Sequence, residues 1–187
     1  IGEGRPAADP DRPLRWNPID GLREVKFLSE DRALLGAVLA TGWFYLVGAL
    51  ALSVLNVCGK EVLDLGDGGS RLFFFVASGI AIGSLLASRL SGDHIEIGIV
   101  PIGGILMTCG FAAVPFVNET LLAYGIALVV AGIGGGLYLV PLAAFVQDRA
   151  TGKEKGRVQE AQEMITFLFI FASAIVFEVF RNEQLMA

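Results

Sequence analysis

The chain has 187 residues, 54% of them hydrophobic and 24 of them glycine, with 18% charged and a mean hydropathy of +0.65. Those proportions exclude a disordered or collagen-like chain and an ordinary soluble domain. Two cysteines, one histidine and a net charge of −5 exclude a disulfide scaffold, a Cys- or His-built metal centre and most histidine catalysis, and they argue against a nucleic-acid partner.

Residues 1–32 come first and differ from the rest. They hold four prolines, Trp16 and both signs of charge, without the basic start and short apolar run of a signal peptide. Ile19, Leu22, Val25 and Leu28 recur every three residues among Arg23, Glu24, Lys26 and Glu30. The spacing fits a short amphipathic helix lying on a membrane surface. A solvated linker with a chance pattern fits it equally.

From residue 33 to 187 the pattern is membranous. Residues 33–59, 72–88, 97–118 and 120–147 carry no charge, and a fifth apolar stretch covers 161–180 with its charge-free part at 164–177. Crossing about 30 Å of hydrocarbon takes roughly 20 apolar residues in a helix. None of these runs alternates apolar with polar as barrel strands do. Five transmembrane helices in an all-α integral membrane fold are therefore predicted. Lys and Arg number 11 in the segments before the first, after the second and after the fourth span, against 3 on the other side. Positive charge marks the cytoplasmic face, so the N-terminal segment is expected inside and Ala187 outside. The start at Ile1 and an odd number of spans are read as a truncated or processed piece of a longer chain.

Small residues cluster within the spans. The second carries Gly79-x3-Gly83 and the fourth Gly132-x3-Gly136. In lipid, such residues let helix backbones approach closely. Static packing and a moving interface are both open on composition. Pro101, Pro115 and Pro141 mark expected kinks or helix ends. Thr41 and Ser53 can bond their own helix carbonyls, whereas Asn56 is harder to satisfy locally. Cys58 and Cys109 read as small apolar residues.

Two loops carry a family signal. After the second span the chain reads Gly83-Ser84-Leu85-Leu86-Ala87-Ser88-Arg89-Leu90-Ser91-Gly92-Asp93-His94. This resembles the short cytoplasmic loop of the major facilitator superfamily, Gly-x4-Asp-Arg-x-Gly, with Ser88 where that signature has Asp. After the fourth span it reads Gln147-Asp148-Arg149, then Thr151-Gly152-Lys153-Glu154-Lys155-Gly156-Arg157. With Gly135 to Val140, Trp43-Phe44, Gly59-Lys60-Glu61-Val62-Leu63 and Trp16-Asn17-Pro18, this resembles bacterial lysophospholipid transporters, above all the transporter part of members fused to acyltransferases.

The resemblance implies the C-terminal half of a twelve-span transporter, spans seven to eleven. The implied work is inward movement of lysophospholipids, chiefly lysophosphatidylethanolamine, across the bacterial inner membrane by alternating access. It also implies the bilayer, the transporter's N-terminal half and a fused or associated acyltransferase as partners. No cofactor is implied. This segment reads as non-enzymatic, because the acyltransferase signature His-x4-Asp meets Ile99 at the required distance from His94.

Lys60 and Glu61, with Asn56, are candidates to receive a zwitterionic head group, an ammonium preferring Glu and a phosphate preferring Lys. Arg89, Gln147, Asp148, Arg149, Arg157 and Glu160 are candidates for cytoplasmic gating, with Glu163 beside them. Salt bridges among the groups after the fourth span would hold that side shut. Glu178, with Asn182 one turn on, is an ionisable group close to hydrocarbon. Phe73, Phe74 and Phe75, and Phe167, Phe169 and Phe171, are candidates for an apolar wall, or else face lipid. A different facilitator substrate, and a membrane anchor for a lipid enzyme, are the rival readings.

Overall fold

The computed structural model describes residues 28–66, 69–92, 96–117, 120–150 and 155–186. The surface-helix expectation over 1–32, Leu28 to Arg32 apart, lies outside them, as do Trp16-Asn17-Pro18, Asp93, His94, Asn118, Glu119 and Lys153. Among the described residues, helices are α1 Arg32–Glu61, α2 Ser70–Ser91, α3 Ile99–Ala113, α4 Leu121–Arg149 and α5 Lys155–Met186. A 3-10 turn, Val114–Phe116, extends α3. All five are long and apolar enough to cross a membrane.

The helix ends follow local chemistry. The Asp31 carboxylate accepts from the Ala33 and Leu34 amides at 3.0 and 3.2 Å and caps α1. Thr120 Oγ1 accepts from the Ala123 amide at 3.3 Å and caps α4. Past α1 the chain turns back at Asp64, whose φ is 49°, and the Leu65 amide returns to the Gly59 carbonyl at 2.8 Å. Pro101 stands in the first turn of α3, where a missing amide costs nothing. Pro141 does not end α4, which runs on to Arg149. At about 1.5 Å per residue, the 30 residues of α1 span about 45 Å, more than the hydrocarbon needs, so part of it projects or tilts. Helix α5 likewise begins at Lys155 rather than near Ala161, adding a charged turn and a half.

Helix α4 is the centre. Over half of its apolar window (56%) is buried, against 17–22% in the other four. It packs closely on α2 and α3 and more lightly on α1, while α5 packs on α1. Glycine makes this possible. A Cβ on Gly132 would lie 2.9 Å from the Gly79 Cα and against the Val76 carbonyl oxygen. A Cβ on Gly136 would lie 2.5 Å from the Ser84 amide nitrogen. On the side toward α3, one on Gly103 would meet the Tyr138 amide nitrogen at 2.6 Å and one on Gly134 the Met107 Cα at 2.8 Å. Two seams of backbone contact thus leave the same helix toward two neighbours.

Two apolar clusters close the ends of the bundle. Leu28, Leu34, Val38, Leu142, Val146, Val158 and Ile165 join the start of α1, the end of α4 and the start of α5. Leu55, Leu72, Tyr124 and Leu128 join the end of α1 to the starts of α2 and α4. Thr41 and Ser53 donate to the Ala37 and Ala49 carbonyls at 2.9 and 3.1 Å, satisfying themselves within their own helix.

Candidate functional site

Between the two clusters the bundle is open. A cavity of about 380 Å³ runs beside α1 from Phe44 to Leu55, with Val76 and Ile80 of α2, Phe111 of α3, Gly132 and Gly135 of α4 and Ile170 of α5 around it. Among the described residues its lining is apolar and aromatic, Tyr45 alone carrying a side-chain hydroxyl. Phe44 stacks on Tyr138 with ring centres 6.0 Å apart, and the Tyr138 hydroxyl donates to the Ala40 carbonyl at 3.1 Å. These contacts set the Phe44 ring at one end of the cavity. The phenylalanine triplets are not its wall. Phe74, Phe167 and Phe171 are exposed, while Phe75 packs against Gly125 and Phe169 against Gly42. A second cleft of about 380 Å³, lined by Gln147, Gln159, Gln162 and Lys155, separates the end of α4 from the start of α5.

The candidate head-group residues lie at the far end of α1. All three are exposed. Asn56 is corrected on one point: it is satisfied locally, Nδ2 donating to the Leu52 carbonyl at 3.1 Å. An asparagine in mid-helix reaches back one turn as serine and threonine do, and its carbonyl oxygen and second N–H remain for a ligand. The backbone of Asn56 is where α2 starts, for a Cβ on Gly69 would lie 3.0 Å from the Asn56 Cα. Along α1, Asn56 is about one turn beyond the cavity-lining Leu52, whereas Glu61 is about two and a half turns beyond it and so on the opposite side. Lys60 lies between these directions. The structure therefore does not bring Lys60 and Glu61 to one face of the cavity.

At the other end, Arg149, one of the gating candidates, takes a partner far along the chain. Arg149 Nε donates to Asp31 Oδ2 at 2.6 Å, joining the last turn of α4 to the cap of α1. The shared apolar cluster beneath brings these two helix ends together. Gln147, Asp148, Glu160 and Arg89 are exposed, and Arg157 is half-buried. Glu178 accepts from Arg181 one turn away at 2.8 Å, an exposed pair at the end of α5.

The Arg149 guanidinium, with the Leu34 and Ala33 amides, holds the Asp31 carboxyl below the usual carboxylate range. A lowered folded-state value means the contribution is complete above the unfolded value of about 3.9 and is lost as pH falls through the folded one. Between pH 5 and 8 this pair is expected to leave thermal stability flat, with the loss confined to below about pH 4. Asn caps a helix as well as Asp does. Asp31→Asn is thus expected to lower the melting temperature less than Asp31→Ala, since it gives up the exposed ion pair but keeps the cap. Equal losses in detergent-solubilised protein would show that the ion pair, not the cap, matters.

The model of the Major Facilitator Superfamily matches residues 3–174. The lysophospholipid transporter LplT of Enterobacter sp. (strain 638) is 27% identical over 148 residues, which cover 77% of this chain and 37% of that relative. The chain therefore spans little more than a third of that relative's length. No solved structure matches the chain. Five apolar helices of membrane-spanning length among the described residues make this a multi-pass membrane protein, and the match that runs from before α1 into α5 assigns it: the chain belongs to the major facilitator superfamily.

Proposed function

We propose that the protein carrying this chain moves lysophospholipids, with lysophosphatidylethanolamine foremost, inward across a bacterial inner membrane by alternating access. The observation that carries this reading is the cavity. It is large enough for a ligand, it offers almost no hydrogen-bonding side chain, and its α1 wall runs on to Asn56 and Lys60. A sugar or a polar drug would leave its hydroxyls unpaired there. A single-chain lipid needs an apolar wall beside a polar end. The similarity to a lysophospholipid transporter points the same way.

In this reading the Asp31–Arg149 end is cytoplasmic, in keeping with the excess of Lys and Arg there. Arg89, Gln147, Asp148, Arg157 and Glu160 stand on that same side, where contacts with the transporter's N-terminal half would close the path. An acyltransferase, fused or associated, would consume the imported lipid.

The test is uptake of labelled lysophosphatidylethanolamine by cells that lack their own importer and express the gene encoding this chain. A neutral sugar and a cationic dye serve as controls. Selective uptake of the lysolipid is expected. Folded, inserted protein with uptake of a control solute alone would replace the substrate. No uptake of any would favour a membrane anchor.

A further inference from the structure

The cavity has a shape as well as a chemistry. Its α1 wall runs from Phe44 to Leu55, a rise of about 16 Å at 1.5 Å per residue. A single extended hydrocarbon chain matches that length and that apolar lining. Its sides are helices α1 and α4, and Gly48 and Gly135 supply room that side chains would take, a Cβ on Gly135 meeting the Phe44 ring at 3.2 Å. The Phe44 ring, held by its stack on Tyr138, stops one end. The other end leads along α1 to the exposed amide of Asn56, one turn past Leu52.

We propose that this slot receives the acyl chain of the transported single-chain lipid, with the chain terminus against Phe44 and the head group toward Asn56, and that its length sets the chain lengths the protein accepts. The inference rests on the lysolipid reading above. It adds the orientation of the substrate and the residues that measure it. Lipid tails are as apolar as the slot, so entering it from the bilayer brings little hydrophobic gain. Selection is therefore by fit: a chain too long for the slot must leave methylenes crowded against Phe44 or push the head group away from Asn56.

Gly48 makes the inference testable. It lines the cavity, and a Cβ placed on it meets nothing within 4 Å. Gly48→Leu thus extends a side chain into the slot from a clear Cβ position, and leucine favours a helix more than glycine does. Gly36→Leu is the control, since Gly36 is equally unobstructed and does not line the cavity. Uptake of lysophosphatidylethanolamines with 10, 12, 16 and 18 carbons is compared in cells expressing the full gene product. The expected result is a fall of about tenfold in the ratio of 18- to 10-carbon uptake for Gly48→Leu, a smaller fall for Gly48→Ala, and none for Gly36→Leu. An unchanged ratio in folded Gly48→Leu overturns the proposal. So does a loss of thermal stability without a shift in the ratio, which would mean another protein segment fills the slot.

A second readout does not depend on transport. A lysophosphatidylethanolamine with a diazirine on its last carbon is expected to label the 44–55 stretch of α1, and a diacyl phospholipid with the same group is not. Equal labelling by both would assign the slot to bilayer lipid and overturn the proposal. If wild-type protein takes up no lysolipid yet shows the selective labelling, the transport reading fails and the chain site stands.

Discussion

Replacing Gly132 with valine is expected to lower the melting temperature more than Gly42→Ala or Gly36→Ala does, by about 6–12 °C. The new Cβ would sit 2.9 Å from the Gly79 Cα and against the Val76 carbonyl oxygen, both of them backbone atoms of α2. Backbone cannot turn aside as a side chain can, so α2 must move off α4 along the whole Gly79–Gly83 seam. Over-packing an ordinary core costs about 1–3 kcal/mol, and backbone contact belongs at or above the top of that range. A loss of about 3 kcal/mol corresponds to a fall of about 6–12 °C in melting temperature for a chain of this size. Gly42→Ala is the graded comparison. There the Cβ meets Phe169 Cδ2 at 2.9 Å and Ile165 Cγ2 at 3.3 Å, side-chain atoms that can shift, so a loss of about 1 kcal/mol is expected. Gly36→Ala meets nothing within 4 Å and is expected to be neutral or slightly stabilising. Thermal unfolding in detergent checks the order. A Gly132→Val protein within 2 °C of wild type, a shift worth about 1 kcal/mol or less, would mean that this seam is not closed as described.

The largest functional effect is expected from Asn56→Leu. Its amide is already bonded to the Leu52 carbonyl, whose own helix bond survives the change, so stability should hardly move. What is lost is one acceptor oxygen and one N–H at the mouth of the acyl slot. A hydrogen bond to a charged group contributes about 1.5–3 kcal/mol, so the rate of lysophosphatidylethanolamine uptake below saturation should fall by about tenfold or more. Glu61→Gln, on the opposite side of α1, should fall by much less. The reverse order, with Glu61 the sensitive position, would turn α1 around and take the head group away from the slot. Uptake unchanged by Asn56→Leu would remove the amide from the path.

The spans were legible because a bilayer sets a length of apolar sequence that charge-free runs report directly. The glycine seams were half legible. Gly79-x3-Gly83 and Gly132-x3-Gly136 announce close approach, but nothing in either repeat says that Gly79 and Gly132 meet each other. The cavity wall was not legible. A helix in lipid is apolar on every side, so periodicity does not separate inside from outside. Composition drew attention to the phenylalanine triplets, whereas Phe44, Tyr45 and Phe111 line the slot. Asp31 was missed for another reason. It precedes α1 by one residue and reads as a cap, and its partner Arg149 stands 118 residues away. The apolar cluster of Leu34 and Val38 with the end of α4 and the start of α5 brings that pair together.

The most direct test of the account is translocation by the purified gene product in liposomes. Fluorescent lysophosphatidylethanolamine is added outside, and the fraction protected from an impermeant quencher is followed in time. The account predicts protection that grows with protein content, saturates with lipid, and is competed by 16- and 18-carbon lysolipids. Protection no faster than in protein-free liposomes, from protein that unfolds cooperatively and is inserted, would contradict it.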